Sequence, residues 1–230
     1  MSQLTLALHA VQGQLAEATR LSGREAGAVQ LLAVSKTFPA AAVREVYAAG
    51  QRAFGENYVQ ELQAKAAELA DLAITWHFIG PLQSNKTRIV AETAHWVHSI
   101  ERLKIAERLS AQRPAHLPPL NVCVQVNVSG EDSKSGCAPA DAPALLRAVA
   151  ALPQLRLRGL MCIPEPTPDA ATLAARFAVL RQLQAHMTAE GLALDTLSMG
   201  MSSDMAAAIA AGSTMVRVGT AIFGARQYPA

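Results

Sequence analysis

Along this chain, short aliphatic and β-branched runs alternate with longer stretches in which apolar residues recur every three or four positions. Leu4, Leu8, Val11 and Leu15 stand at helical spacing, so an amphipathic helix opens the sequence. After it, eight short runs read as strands: 31–35, 53–55, 76–79, 96–99, 121–127, 155–162, 196–199 and 215–218. Each ends near a polar residue or a glycine. The stretches between them, such as 40–49, 58–71, 101–112, 140–151, 170–190 and 205–211, are rich in Ala, Leu, Glu and Arg and carry helical periodicity. Strands alternating with helices eight times predict an α/β chain folded as a single (β/α)8 TIM barrel, near the short end of that fold's range, with an extra N-terminal helix. A doubly wound open sheet is the competing architecture, but it uses fewer strands and a glycine-rich first turn. No GxGxxG or GxxxxGK[ST] occurs, so the common nucleotide-phosphate signatures are absent. The proline-rich patches at 114–119 and 164–168 are too short to be linkers and read as surface loops, which leaves one domain over residues 1–230.

Composition narrows the class of function. Twenty basic and eighteen acidic side chains give a formal charge of +2, spread along the chain. Five Phe, two Trp and three Tyr are scattered, with no basic stripe beside them, which argues against nucleic-acid binding. No apolar run approaches the roughly 18 to 20 residues of a membrane span. The first twenty residues lack the basic and apolar regions of a signal peptide. Cys123, Cys137 and Cys162 are an odd set without CxxC spacing, which suggests reduced thiols and a cytoplasmic protein. The six histidines show no metal-ligand spacing; His95 and His98, flanking Trp96, read as strand edge and loop.

In such barrels chemistry sits at the C-terminal ends of the strands. Alternation puts Leu32, Val34 and Lys36 on one face, so an interior packed by the two aliphatics also receives the lysine. Poor solvation there favours the neutral amine, the form that attacks a carbonyl to make a Schiff base. The alternative is a lysine just past the strand that turns out to solvent. Gly200-Met201-Ser202-Ser203-Asp204 forms a strand-to-helix turn, and Gly219-Thr220 repeats the arrangement after the last strand. Barrels often hold phosphate at those two loops, although each turn is equally readable as an ordinary cap. Arg217 points either into the barrel or out against the helices. Together these residues suit a carbonyl-bearing phosphate ligand.

The segments LLAVSKTFP, AFGENYVQE, WHFIGPLQSNK, LRGLMCIP and LSMGMSSDMAAAIAAGSTMVRVGTAIFGAR resemble the pyridoxal-phosphate homeostasis family, also called the YggS/PROSC PLP-binding family, in order and spacing from about residue 4 to Arg226. The resemblance implies the barrel of the alanine racemase N-terminal domain and pyridoxal 5′-phosphate (PLP) as cofactor. It implies that Lys36 holds PLP as an internal aldimine, that Ser202, Gly219 and Thr220 cradle the phosphate, and that Arg217 faces the pyridine nitrogen. Asn57 and Met161 would line the ring. Many bacterial members carry a second lysine two residues after the first, where this chain has Phe38. Lys134 matches a family loop lysine but is read here as a solvated loop charge.

Storage, buffering or delivery of PLP to apoenzymes, without robust catalysis, is the function so implied. The chain stops shortly after the last strand, at Ala230, leaving no room for the second β-domain by which racemases dimerise and supply an opposing acid. The expectation is therefore a monomeric carrier. Tyr58 and His77 are the nearest second proton carriers by strand address and read as structural. A small PLP-dependent racemase or lyase is the rival reading, and a Schiff-base aldolase without PLP is a third.

Overall fold

The computed structural model describes residues 1–130 and 135–225. Lys134 and Arg226 lie outside the described residues. The elements run α1 (Gln3–Leu21), β1 (Gln30–Val34), α2 (Ala40–Ala48), β2 (Ala53–Glu56), α3 (Val59–Glu68), β3 (Thr75–Phe78), α4 (Thr87–Thr93) after a 3₁₀ turn at Ser84–Lys86, and β4 (Trp96–Ile100). They continue with α5 (Leu103–Gln112), β5 (Leu120–Gln125), α6 (Ala142–Ala150), β6 (Leu155–Met161), α7 (Ala170–Ala189), β7 (Thr196–Ser198), α8 (Met205–Ala210), β8 (Met215–Val218) and α9 (Thr220–Phe223). All eight strands pair in parallel with their sequence neighbours, and β8 returns to β1, so the sheet closes into a TIM barrel. The open-sheet alternative is excluded by that closure.

Strand alternation sorts side chains into two environments. Ala33, Phe54, Trp76, Phe78, Val97, Val122, Leu160, Leu197 and Val216 face outward and join the apolar layer beneath the helices. The inward set is different. Leu32, Val34, Ile79 and Met215 form one small cluster, and Trp96, Cys123 and Met161 another. His77, His98, Ser198 and Arg217, all nearly inaccessible, occupy the rest of the interior. Layers of branched aliphatics usually fill such barrels; here polar groups share the space.

Helix α1 takes the last place in the outer ring. Helices α8 and α9 are only six and four residues long, and α1 packs against both, and against α2, burying Leu8 and Val11. Its start is capped by the Ser2 hydroxyl, which accepts from the Thr5 amide. Arg24, just after α1, donates to the carbonyls of Ala28, Ile209 and Ser213 and ties this helix to the end of the barrel. Among the described residues no helix is long and apolar enough to cross a membrane.

One glycine is dictated by backbone proximity. The register between β5 and β6 shifts after Val122, and Gly159 then lies against β7 so closely that a Cβ there would stand 1.8 Å from the Thr196 carbonyl oxygen. Gly159→Ala is expected to cost about 3 kcal/mol or more, because backbone rather than a mobile side chain blocks the methyl. Gly13, inside α1, is the contrast: a methyl added there would meet nothing within 4 Å, and Gly13→Ala is expected to stabilise by roughly 0.5–1 kcal/mol. Urea unfolding of the two variants checks both signs.

Candidate functional site

A cavity of about 280 Å³ opens at the C-terminal ends of β1, β2, β7 and β8. Its wall contains Lys36, Asn57, Ser202, Arg217, Gly219 and Thr220, six of the seven residues singled out in the sequence. Val34, Ile79, Ile163, Met201 and Ser203 complete it among the described residues. Met161 does not line it: its side chain is fully buried against Trp96 and Cys123 inside the barrel. No Asp or Glu is among the described lining residues, whereas Lys36 and Arg217 bring two cationic groups.

Lys36 sits in a tight turn beyond β1. The Phe38 amide donates back to the Ser35 carbonyl at 3.1 Å, and Thr37 holds a positive φ of 68°. A β-branched residue in that region is strained, so something must hold the turn. The clamp comes from β2 and α3. The Ser35 hydroxyl donates to Glu56 Oε1 at 2.6 Å, and the Thr37 amide donates to Glu61 Oε2 at 2.7 Å. Lys65 Nζ joins the two sides, donating at 2.8 Å to the Ser35 carbonyl, Glu56 Oε1 and Glu61 Oε2. Both residues that flank Lys36 are therefore fixed by one buried ionic cluster. Burial pushes the Glu56 carboxyl up to about 7, against the pull of Lys65 and of the Ser35 hydroxyl. Its second oxygen, Oε2, is buried with no partner among the described residues.

Phe38, where relatives of the family are expected to carry a second lysine, stacks on Phe223 of α9 with ring centroids 5.3 Å apart. This contact binds the Lys36 turn to the end of the chain's last described helix. At the ends of β2 and β3, Gly80 has no room for a Cβ, which would fall 2.0 Å from the Asn57 carbonyl oxygen. That close approach sets the Asn57 backbone at the rim, where its side-chain Oδ1 is buried with no partner among the described residues.

Arg217 points into the barrel, which settles its orientation. Its guanidinium, 4% exposed, donates from Nη1 to the Ser198 carbonyl (2.6 Å) and hydroxyl (2.9 Å) and from Nη2 to the Cys162 carbonyl (2.8 Å). Burial lowers its pKa; Cys162, Asp204 and Cys123 act in the opposite sense through space. After β7, Gly200 at φ 97° starts the next turn, and the Asp204 carboxylate accepts the Met201 amide at 2.5 Å. Ser202 and Ser203 are left exposed at the cavity rim. The three cysteines are free, and burial pushes Cys123 and Cys162 up to about 12 and Cys137 to about 11, so all are inert thiols at neutral pH.

Several participants escaped the sequence reading. Lys65 takes a place in the apolar stripe of α3 between Leu62 and Leu69, and a cation at a core position was the signal for it. His98 lies inside the barrel on β4, fully buried, not at a strand edge or in a loop; its place two residues from inward Trp96 was the clue. His77 and Tyr58, considered as proton carriers, are not in the cavity wall: His77 is buried lower in the barrel, and Tyr58 is 53% exposed at the start of α3.

The clamp carries a pH signature. A carboxyl whose folded pKa is raised stabilises the fold fully only below its ordinary range, and that contribution is lost as pH rises through about 7. The stability of the protein minus that of Glu56→Gln is therefore expected to fall between about pH 4.5 and 7.5, by up to about 3 kcal/mol. Unfolding curves across this range check it; parallel curves for the two proteins would remove Glu56 from the account.

Comparison with known proteins places this geometry. The family model for the alanine racemase N-terminal domain matches residues 7–227. The pyridoxal phosphate homeostasis protein of Pseudomonas aeruginosa is 63% identical over 100% of this chain and 99% of its own length. Its namesake in Escherichia coli K12 is 53% identical over 99% of both. Among solved structures, PipY of Synechococcus elongatus PCC7942, determined with PLP bound, aligns with a TM-score of 0.81 at 45% identity, covering 91% of this chain and 100% of that one. An alanine racemase from Corynebacterium glutamicum shares the fold at 16% identity, with a TM-score of 0.71 over 95% of this chain and 62% of that one. The chain thus belongs to the family of the pyridoxal phosphate homeostasis proteins, built on the alanine racemase N-terminal domain.

Proposed function

We propose that this chain binds pyridoxal 5′-phosphate in the cavity, attaches it covalently through Lys36, and holds it for PLP-dependent apoenzymes, working as a single-domain monomer in the cytoplasm. The observation that carries the reading is the cavity wall: an amine, a guanidinium and a set of hydroxyls, with no carboxylate among the described residues, at the ends of β1, β7 and β8. Its volume, about 280 Å³, stands near the lower bound of small-molecule pockets, about 300 Å³. The polar groups fit the cofactor. Asn57 Oδ1 is a buried acceptor without a partner, and the Arg217 guanidinium has no salt-bridged carboxylate, among the described residues. Relatives that share 53–63% of the sequence bear the name of PLP homeostasis, and PipY binds PLP on the same fold.

The cofactor would supply an aldehyde with which the Lys36 amine could condense, releasing water. The remaining work belongs to the chain. The Ser35–Thr37 clamp holds Lys36 at one address. Ser202, Gly219 and Thr220 take the phosphate, and Asn57 borders the ring. Arg217, a permanent cation in the wall, would stand by the ring nitrogen and disfavour its protonation, which would weaken the ring as an electron sink. Met161 acts from below, by packing rather than by contact.

The wall also supports holding over turnover. Stereoinversion needs a second positioned proton carrier opposite the lysine. Among the described lining residues, Asn57, Ser202, Ser203 and Thr220 do not exchange protons near neutral pH, and Arg217 stays charged. Tyr58 and His77 stand outside the wall.

Titration with PLP is expected to give a visible absorption band that is absent in Lys36→Ala. No band in the native protein would overturn the assignment, and a racemised or decarboxylated product from a panel of amino acids would make the chain an enzyme instead. Ser202→Ala removes one charge-assisted hydrogen bond and is expected to weaken PLP binding about tenfold with the band retained. Equilibrium dialysis reads this change.

A further inference from the structure

A transverse chain of polar groups crosses the barrel beneath the cavity. Arg217 on β8 donates from Nη1 to Ser198 Oγ on β7 at 2.9 Å. Ser198 Oγ lies 2.8 Å from His98 Nδ1 on β4, across the barrel, and His98 Nε2 lies 2.9 Å from His77 Nδ1 on β3. All four side chains are buried, and His77 stacks on Trp96 with ring centroids 5.3 Å apart. The chain ends where His77 meets a second cavity, about 810 Å³, at the N-terminal mouth of the barrel.

One assignment of the ring tautomers gives the serine proton and both bridging ring nitrogens a partner. Guanidinium only donates, so the Ser198 oxygen accepts from Arg217. The serine hydroxyl has one proton, and of its two partners only His98 can receive it. His98 Nδ1 is then the acceptor and its Nε2 carries the proton, which it donates to His77 Nδ1. His77 in turn carries its proton on Nε2. Burial keeps both imidazoles neutral, holding His77 down at about 3 and His98 well below its ordinary value; His95 acts on His77, and His77 and Arg217 act on His98, in the same sense.

We propose that Ser198 and His98, backed by His77, are positioning residues for Arg217: their aligned hydrogen bonds supply, in place of a carboxylate, the oriented negative ends that hold the guanidinium upright at the cavity floor. The arrangement explains a buried cation that has no salt-bridged anion among the described residues. A carboxylate at this place would neutralise Arg217 and withdraw it from the ligand; neutral dipoles stabilise it while leaving its charge available. The inference rests on the PLP reading only for its effect on the ligand, because the direction of the chain is a property of the protein alone.

Two experiments separate these levels. Long-range proton–nitrogen NMR of the histidine rings, on the protein without ligand, is expected to show His77 and His98 neutral, protonated on Nε2 and without titration between about pH 6 and 8. An imidazolium, or a proton on Nδ1 of His98, would overturn the proposal whatever the ligand. The second experiment follows PLP binding. His98→Leu strips the Ser198 hydroxyl of its acceptor and is expected to weaken binding about tenfold, whereas His98→Asn, whose Oδ1 replaces Nδ1, retains affinity within about twofold. The visible band of the Leu variant should also titrate in a range where the native band does not, as Arg217 loses its hold on the ring nitrogen. Equal affinity and equal pH profiles for native, Leu and Asn forms would sink the positioning role. Absence of a band in the native protein would instead sink the PLP reading and leave the NMR result standing. Ser198→Ala, which creates no large cavity, repeats the test if His98→Leu fails to fold.

Discussion

A guanidinium buried with no salt-bridged carboxylate among the described residues is the constraint around which this barrel is organised. Desolvating a cation costs far more than packing an aliphatic side chain, and it is tolerated only where donors find acceptors in every direction. Arg217 finds the Ser198 and Cys162 carbonyls and the Ser198 hydroxyl, contributed by the ends of β6 and β7. Those carbonyls are available because both strands stop there, one residue before or at the groups Arg217 reaches. Held by carbonyls and a hydroxyl, with the Asp204 carboxylate acting on it only through space, Arg217 brings a positive charge to the cavity wall. The interior accordingly gives up some aliphatic filling to His77, His98 and Ser198.

The second cation of the site is managed in the opposite way. Lys36 itself stands in a strained turn, and the residues on either side of it are bound by a buried ion cluster from β2 and α3. Buried ion pairs contribute little net stability, since desolvation offsets most of their attraction. What they provide is geometry: a turn fixed at Ser35 and Thr37 sets the backbone from which the Lys36 side chain extends. The cluster also explains why Glu56, next to the rim residue Asn57, is a carboxylate pointed away from the ligand. It serves Lys65 and Ser35 and does not line the cavity.

How much of this could be read from the sequence follows from what each signal depends on. The strands were legible to within one or two residues, because period-two alternation and the glycines that end each run are local properties. The short helices α4 and α9 were not: seven and four residues offer too few repeats for periodicity to show. Lys36, Asn57, Ser202, Gly219 and Thr220 fell into one cavity since each follows a strand at the same end of the barrel. Arg217 stayed ambiguous until the register set Leu32 beside it, a fact that lives in strand pairing and not in the sequence order. Lys65 was missed and His98 misplaced for a common reason. Both are polar residues at apolar positions, and their partners, Ser35 and Ser198, are 30 and 100 residues away. Met161, expected from the resemblance to line the ring, packs instead with Trp96 and Cys123 and is not among the described residues of the cavity wall.

The central claim is that one lysine, held by the turn after β1, carries the ligand. Borohydride reduction of the PLP-treated protein followed by peptide mass mapping tests it most directly. The account predicts a single stoichiometric pyridoxyl adduct on the peptide that contains Lys36. An adduct on Lys65 or another lysine, or scattered low-level labelling with Lys36 unmodified, would contradict it.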